Sequence, residues 1–276
     1  QTNGFCNKFT ISNAKDCKIT VKVLFIKASK KFFPSPKLMD FAEQVEEKIV
    51  NQFNLESDLL GLDENEDIED NFQKINSKTA KILEKQLNED AHQIKLDFIV
   101  DSFVQLSAGV PFSPKAIVYV NSVKDAKKYM NLINCQSSNG YYKGLRFATD
   151  FSSLGDECSF YNKGISNTDD ISMYFEKNRN LQEPQKDNPL IIDILFAVDK
   201  YQKGFDLPSL LITYLDCNIA EPARLNQIYT RTATRYPGKN TGYCVDMSLY
   251  SCNAQTFQES MLLYDNPNEA SEGFIN

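Results

Sequence analysis

An internal similarity between two stretches of the chain constrains its fold more than any other feature of the sequence. Residues 5–16 (FCNKFTISNAKD) and 160–170 (FYNKGISNTDD) share, with one gap, the letters F, NK, ISN and D. Further matches follow in the same order: residues 98–103 with 196–201, 109–121 with 204–216, and 139–142 with 241–244. Because chance similarity in a chain rich in Asn and Lys does not preserve order, these collinear matches indicate a tandem duplication.

The two copies differ in length mainly between the first and second matches, where the first copy carries an extra segment at about residues 37–90. Apolar residues in this segment follow the i, i+3, i+4 spacing of a helix, at Leu38, Phe41, Ala42, Val45, Ile49 and Phe53. Pro36 precedes them as a helix start signal, and a second helix is predicted over residues 68–87. The segment is therefore predicted to be a helical hairpin inserted into the first copy.

Most of the remaining chain has the composition and turn spacing of strands. Ile19, Val21, Val23 and Phe25, for example, alternate with polar residues as in a half-buried strand. Strands are predicted at residues 17–26, 94–106, 116–120, 142–150, 171–175, 190–201, 209–215, 225–235 and 243–250. One conflict arises, because residues 123–133 have a helical pattern while their counterpart, residues 225–235, predicts a strand. One of these two assignments must be wrong.

Together the patterns predict a mainly β chain with a helical insertion, α+β overall, built from two tandem β-sandwich repeats of immunoglobulin-like type. The first repeat is expected over residues 1–152, with the hairpin inserted at about 37–90. The second is expected over residues 153–276, with a C-terminal extension. A Cys…Trp…Cys signature cannot support this fold, because the chain contains no Trp.

The cysteine content favours a secreted, extracellular protein with disulfides. The chain has seven cysteines, no CxxC motif and one histidine, which fits an oxidising compartment better than a zinc site. It begins with Gln1, as a mature chain does after removal of a signal peptide. Cys6 and Cys17 flank a predicted hairpin and are the preferred disulfide pair. The alternative is a cytosolic protein with scattered buried thiols.

The net charge and the hydropathy of the chain restrict the classes of partner that it is expected to bind. A net charge of −7 and a pI near 5.0 argue against nucleic acid as a partner, because phosphate contacts need a basic surface. The longest apolar run, residues 190–198, is interrupted by Asp193 and is too short to cross a bilayer, so no membrane insertion is expected. Self-association or binding to other extracellular proteins is predicted instead.

One segment resembles the start of a calcium-binding EF-hand loop. Asp63, Asn65 and Asp67 have the spacing of the first ligands, but Ile68 occupies the position of the required Gly, and the twelfth position is Lys74 rather than Glu. The alternative is a solvated acidic turn that favours a following helix N-terminus. Calcium is the only cofactor that the sequence suggests.

No catalytic constellation is apparent. His92, the only histidine, is predicted to be a solvated residue between a helix and a strand, which argues against histidine-dependent catalysis. A basic and aromatic stretch contains Tyr229, Arg231, Arg235 and Tyr236. On a strand the first three would share a face that binds an anion, a glycan or a neighbouring subunit; the alternative is an edge strand protected by its charges.

These observations predict a secreted, non-enzymatic structural or adhesion protein, such as a subunit of an extracellular filament or surface assembly. Two alternatives remain. One is a carboxylate- or divalent-metal-dependent hydrolase, in which Asp63, Asp67 and Asp101 would line a cleft. The other is a soluble carrier that holds an apolar ligand between the helical hairpin and the sheet.

Overall fold

The computed structural model describes residues 20–27, 47, 88–136, 140–151, 162, 171, 175, 192–201, 206–248, 253–264 and 274–275. These residues form one eight-stranded sheet with helices on both faces. The strands are β1 Lys22–Lys27, β2 Lys115–Val120, β3 Tyr141–Tyr142, β4 Leu145–Phe151, β5 Ile194–Val198, β6 Leu210–Asp216, β7 Thr241–Asp246 and β8 Phe274–Ile275. The helices are α1 Asn88–Ser107, α2 Val123–Gln136, α3 Pro222–Tyr229 and α4 Asn253–Tyr264, and a 3₁₀ helix at Thr230–Ala233 continues α3.

The strand order is β3-β4-β5-β2-β6-β7-β1-β8. All neighbouring strands pair in parallel except β3 and β4, which form an antiparallel hairpin. The central strands are continuous apolar runs: all six residues of β2 (KAIVYV) and all five of β5 (ILFAV) are buried. Such runs are typical of a parallel sheet, because both of its faces are covered by helices.

Each helix lies on the face of the sheet that is set by the direction of the crossover connection that contains it. Connections that lead towards the β3 end carry α1 and α2, which pack on one face in a core with Leu96, Tyr129 and Phe196. Connections that lead the other way carry α3 and α4, which pack on the opposite face with Phe175 and Tyr119. This division is the expected result of right-handed crossovers between parallel strands.

A side-chain amide completes the outer edge of β4. Asn162 is 1% exposed, and its Oδ1 accepts from the Thr149 backbone N–H while its Nδ2 donates to the Thr149 carbonyl, both at 2.7 Å. The β3 hairpin pairs only with Leu145 and Arg146 of β4. The amide therefore satisfies the backbone of β4 beyond the hairpin.

The prediction of two tandem immunoglobulin-like β-sandwiches is wrong. The described strands alternate with helices and pair in parallel, which is the pattern of an α/β fold. Strands on both sides of the predicted boundary between residues 152 and 153 belong to the same sheet: β4 pairs with β5, and β2 lies between β5 and β6.

Two segments predicted as strands are helical. Residues 94–106 lie in α1, and residues 225–235 span α3, the 3₁₀ helix and the turn that follows it. Residues 123–133 lie in α2, which confirms their helical pattern. The conflict between these counterparts is thus resolved in favour of two helices.

Among the described residues, the third match corresponds to a shared unit, and in the last match residues 141–142 and 241–244 both lie in strands. Residues 109–121 and 204–216 contain β2 and β6, adjacent parallel strands that are each followed by a helix. Residues 98–103, however, are helical in α1, whereas their match at 196–201 is β5 and its turn. The first match lies outside the described residues except for Asn162, and so does the predicted hairpin insertion except for Glu47 and the start of α1, which are helical.

Candidate functional site at the carboxyl edge of the sheet

Polar residues gather where the parallel strands end. The connection that follows β2 leads to α2 on one face, whereas the connection that follows the adjacent β6 leads to α3 on the other. Between two such strands the departing chains separate and leave a crevice outside the carboxyl edge, the usual ligand site in open α/β sheets. The residues around this crevice are therefore the candidate site.

A three-residue turn after β5, hereafter the strap, consists of Asp199, Lys200 and Tyr201. Asp199 and Tyr201 have φ angles of 52° and 63°, in the left-handed region that non-glycine residues seldom adopt. Such a conformation costs about 1–3 kcal/mol and persists only where surrounding contacts impose it.

The contacts that impose it come from three elements. The Lys200 ammonium donates to Asp150 Oδ1 of β4 at 2.6 Å, and the Tyr201 hydroxyl donates to the other oxygen of the same carboxylate. The Tyr119 hydroxyl of β2 donates to the Tyr201 carbonyl at 3.1 Å. The strap therefore lies across the ends of β5 and β2.

A third element, α3, holds the beginning of the strap. Arg224 Nη2 donates to Asp199 Oδ1 at 2.8 Å. Glu221, the N-cap of α3, forms no side-chain capping bond, and Pro222 follows it at the first helical position. The first turn of α3 therefore has backbone N–H groups that its N-cap side chain does not satisfy, and such groups attract anions.

Exposure distinguishes these ion pairs from the others at the same edge. The Lys200 and Arg224 side chains are 36% and 39% exposed, and Asp199 is 74% exposed. Ion pairs of this kind are weak because water screens them. Arg224 is therefore able to exchange its carboxylate for an anionic ligand, whereas Asp150, the partner of Lys200, is only 11% exposed.

A second lysine, aspartate and tyrosine form the same chemical trio on the opposite face. The Lys95 ammonium and the Tyr129 hydroxyl each donate to Asp216 at 2.6 Å, and the Lys95 and Asp216 side chains are only 5% and 8% exposed. His92 packs its ring against Tyr129 at 4.8 Å and lies 3.5 Å from Asp125. This trio is closed off and joins α1, α2 and β6.

A third carboxylate at this edge, Asp246 of β7, fixes the beginning of α4. Asn253 Nδ2 donates to Asp246 Oδ1 and to the Cys217 carbonyl, both at 2.9 Å, and Asn253 Oδ1 accepts from the Ile219 backbone N–H at 2.8 Å. Asp246 is 1% exposed and Asn253 is fully buried. These groups hold the two loops together and are not available to a ligand.

The predicted basic and aromatic surface does not share a strand face. Tyr229 ends α3 and is 2% exposed; its ring packs on Phe257 at 5.1 Å. Arg231 lies in the 3₁₀ helix, and Arg235 lies beyond it. The Tyr236 ring packs edge-on against Phe112 at 5.0 Å. A role of these residues in binding a partner stays a prediction.

The other predicted sites fall outside the described residues or differ from expectation. Asp63, Asn65 and Asp67, together with Cys6 and Cys17, lie outside the described residues, so calcium binding and this disulfide stay predictions. Among the residues that are described, no three His, Cys, Asp or Glu side chains are grouped to hold a metal ion. His92, expected to be solvated, is 8% exposed, and Asp101, expected at a strand end, lies within α1.

The cysteines that the structure describes, Cys135, Cys217 and Cys244, are free thiols, which contradicts the prediction of a disulfide-bonded framework for this part of the chain. Burial raises the pKa of the Cys244 thiol to about 12 and raises that of Cys217 further. Both thiols are therefore protonated and unreactive in the native protein.

The main residues of the strap site were missed by the sequence reasoning. Asp199 was detectable as a carboxylate that follows an apolar strand. Lys200 and Tyr201 adjoin it, but Asp150 and Arg224 reach it only through the order of strands in the sheet. No local pattern identifies those two partners.

No protein-family model and no curated protein matches the chain. Solved structures with a similar arrangement include an ATP-dependent Type ISP restriction-modification enzyme, LlaBIII, bound to DNA, with 12% identity and a TM-score of 0.44 over 92% of this chain and 14% of that one. S. cerevisiae Dbp5 bound to RNA and ADP BeF3 matches with 14% identity and a TM-score of 0.39 over 64% of this chain and 37% of that one. Domain 2 of the DEAD-box helicase Mss116p bound to an RNA duplex matches with 14% identity and a TM-score of 0.39 over 62% of this chain and 54% of that one.

The chain spans less than two thirds of each of these three proteins, and such identities and TM-scores carry over neither residues nor activity. The prediction of a non-enzymatic structural, adhesion or filament protein is nevertheless wrong, because it depends on tandem β-sandwiches. The described residues form instead one mostly parallel α/β sheet.

The net charge was the wrong ground for excluding nucleic acid as a partner; the matched LlaBIII, Dbp5 and Mss116p structures are themselves bound to DNA or RNA. The physical reason is that a net charge averaged over the whole chain does not describe any one surface. In the described part of the chain, no helix is both long and apolar enough to cross a membrane. Secretion stays a prediction.

Proposed function

We propose that this chain is an enzyme-type α/β domain that binds a phosphorylated ligand, and specifically a nucleotide, at the carboxyl edge of its sheet. The observation that carries the proposal is the pair of half-exposed cations, Lys200 and Arg224, at the crevice where the connections after β2 and β6 separate. Crevices of this kind are where open α/β sheets bind nucleotides.

A phosphate group suits these two cations better than any other common ligand group. The Arg224 guanidinium presents a planar fork of donors that matches phosphate oxygens, and Lys200 adds a mobile point charge. The backbone N–H groups at the start of α3, which no side chain caps, support the same ligand chemistry.

The reaction that this arrangement supports best is hydrolysis of a phosphoanhydride bond. The water oxygen attacks the terminal phosphorus, the nucleoside diphosphate leaves, and Asp150 accepts the proton of the attacking water. Lys200 and Arg224 stabilise the negative charge on the phosphoryl oxygens during transfer. Asp150 has the necessary position because it already lies within hydrogen-bond distance of Lys200.

The binding step is tested by thermal unfolding and calorimetric titration with ATP, ADP and inorganic pyrophosphate, with and without Mg²⁺. A ligand at a hundredfold excess over its Kd stabilises the native state by about 2.7 kcal/mol. Lys200→Ala and Arg224→Ala should weaken binding at least tenfold. Lys143→Ala and Arg235→Ala are matched controls: Lys143 pairs with Asp97 at 2.6 Å, the same distance as Lys200 with Asp150.

The chemical step is tested by phosphate release from ATP, measured alone and with added RNA or DNA, since neither polymer is excluded as a partner. Asp150→Asn should abolish turnover while nucleotide binding persists. Turnover that survives in Asp150→Asn removes this residue from the reaction. If no nucleotide or pyrophosphate binds to the unsubstituted chain, the proposal is wrong.

A further inference from the structure

The two cations of the proposed phosphate site are both occupied by carboxylates of the same chain. Lys200 contacts Asp150, and Arg224 contacts Asp199. Because Asp199 and Lys200 are adjacent residues of the strap, the two ion pairs tie one short turn to β4 on one side and to α3 on the other. A phosphate group that binds Arg224 therefore competes with the Asp199 carboxylate for the same guanidinium.

Burial indicates which ion pairs at this edge can exchange. Lys95 and Asp216 are both nearly inaccessible to water, so separating them would leave a buried charge without its partner, at high cost. Arg224 and Asp199 are 39% and 74% exposed, so water solvates each of them when they separate. The Arg224–Asp199 pair is therefore the exchangeable one, whereas the buried carboxylates Asp216 and Asp150 keep their partners.

The backbone of the strap favours release as well. Asp199 and Tyr201 hold positive φ angles that neither residue prefers, and both residues are held by side-chain contacts rather than by strand pairing. Breaking those contacts lets the backbone return to a common conformation. The closed strap is thus maintained by the groups with which a ligand would compete.

We propose that the strap is an anion-operated lock on the phosphate site: Asp199 occupies Arg224 in the ligand-free protein, and the beginning of the strap is released from α3 when phosphate oxygens replace this carboxylate. This inference rests on the proposed function, and it adds to it a built-in competitor for the ligand.

The test compares Kd values for inorganic pyrophosphate, measured by calorimetric titration at low ionic strength. Asp199→Asn frees Arg224 and should tighten binding by about two- to fivefold, the worth of one exposed ion pair. The gain should shrink in 0.5 M salt, because screening already weakens the Arg224–Asp199 pair in the unsubstituted chain. In an Arg224→Ala background, Asp199→Asn should have no effect.

Two controls separate release of Arg224 from a general loss of negative charge. Glu221→Gln removes an exposed charge near the same helix start, and Asp97→Asn breaks the Lys143 ion pair elsewhere. Equal tightening by Glu221→Gln, or tightening by Asp199→Asn that persists without Arg224, overturns the lock. So does an unchanged or weaker affinity of Asp199→Asn. If neither the unsubstituted chain nor any variant binds pyrophosphate, the proposed function itself fails; binding with no Asp199 effect refutes the lock alone.

Discussion

Separation of Lys95 from Asp216 should destabilise the protein strongly and non-additively. The two side chains are 5% and 8% exposed and 2.6 Å apart, and the Tyr129 hydroxyl occupies the second carboxylate oxygen. Removing one partner of such a pair leaves a buried charge and costs about 3–5 kcal/mol. The loss for Lys95→Met should lie at the lower end of this range, because Asp216 keeps its hydrogen bond from Tyr129. The loss for Asp216→Asn should lie near the upper end.

Removing both charges should cost much less than the sum of the two single changes. In Lys95→Met with Asp216→Leu, no charge remains buried, and the main loss is one unsatisfied Tyr129 hydroxyl, about 1–3 kcal/mol. The coupling free energy should therefore be about 3 kcal/mol or more, with Asp216→Leu alone completing the cycle. Urea unfolding followed by far-UV circular dichroism measures it, since the chain has no Trp for fluorescence. Additive effects, within about 0.5 kcal/mol, would show that this pair is not a coupled buried unit.

Three further predictions concern single residues. Burial lowers the pKa of Lys239 from 10.5 to about 7, so between these pH values the unfolded chain binds more protons than the native protein. The free energy of unfolding should therefore rise from pH 7 to pH 10 by up to about 4 kcal/mol. Lys239→Met should flatten this rise, measured as urea midpoints, and an unchanged profile contradicts the prediction. A Cβ on Gly242 would lie 2.3 Å from the Thr232 carbonyl oxygen, so Gly242→Ala should lower the free energy of unfolding by more than about 2 kcal/mol. A Cβ on Gly109 meets no atom within 4 Å, so Gly109→Ala should lower it by only about 1–2 kcal/mol, the cost of a positive φ for alanine. Exposed Cys135 should react with a thiol reagent in the native protein while Cys217 and Cys244 react only on unfolding, as peptide mapping can show; early labelling of Cys244 would contradict its burial.

The parts of the fold that follow from local pattern were predictable. The strands β2 and β6 are uninterrupted apolar runs, and their assignment from sequence agrees with the structure. The segment at α2 shows helical spacing and is a helix. These elements needed no knowledge of distant residues.

The error at α1 has an identifiable cause. Leu96, Ile99, Val100 and Phe103 are buried and follow the i, i+3, i+4, i+7 spacing of one helix face. Matching residues 98–103 to 196–201 imposed a strand on them, so a long-range similarity overrode a local pattern that was correct. Leu225, Ile228 and Tyr229 are also helically spaced and buried, and there the similarity to residues 123–133 favoured the helix while the strand assignment was wrong.

The candidate site was only partly accessible from the sequence because it depends on strand order. Asp150 and Lys200 meet because β4 and β5 are neighbours, and Asp199 reaches Arg224 because β2 alone separates β5 from β6. Parallel pairing between strands that are distant in sequence leaves no periodic pattern in either strand. Only Asp199, at the end of an apolar run, has a local signal in the sequence.

The amide of Asn162 also bears on how the protein avoids association with itself. A strand whose outer N–H and C=O groups are free can template the addition of another chain, and β4 is the last long strand at its end of the described sheet. Asn162 occupies the pairing groups of Thr149 as a single-residue substitute for a ninth strand. Loss of the Asn162 side chain would free the Thr149 backbone groups at the edge of β4 to pair with another chain. The concentration at which this protein aggregates should therefore depend on this amide as well as on the stability of the core.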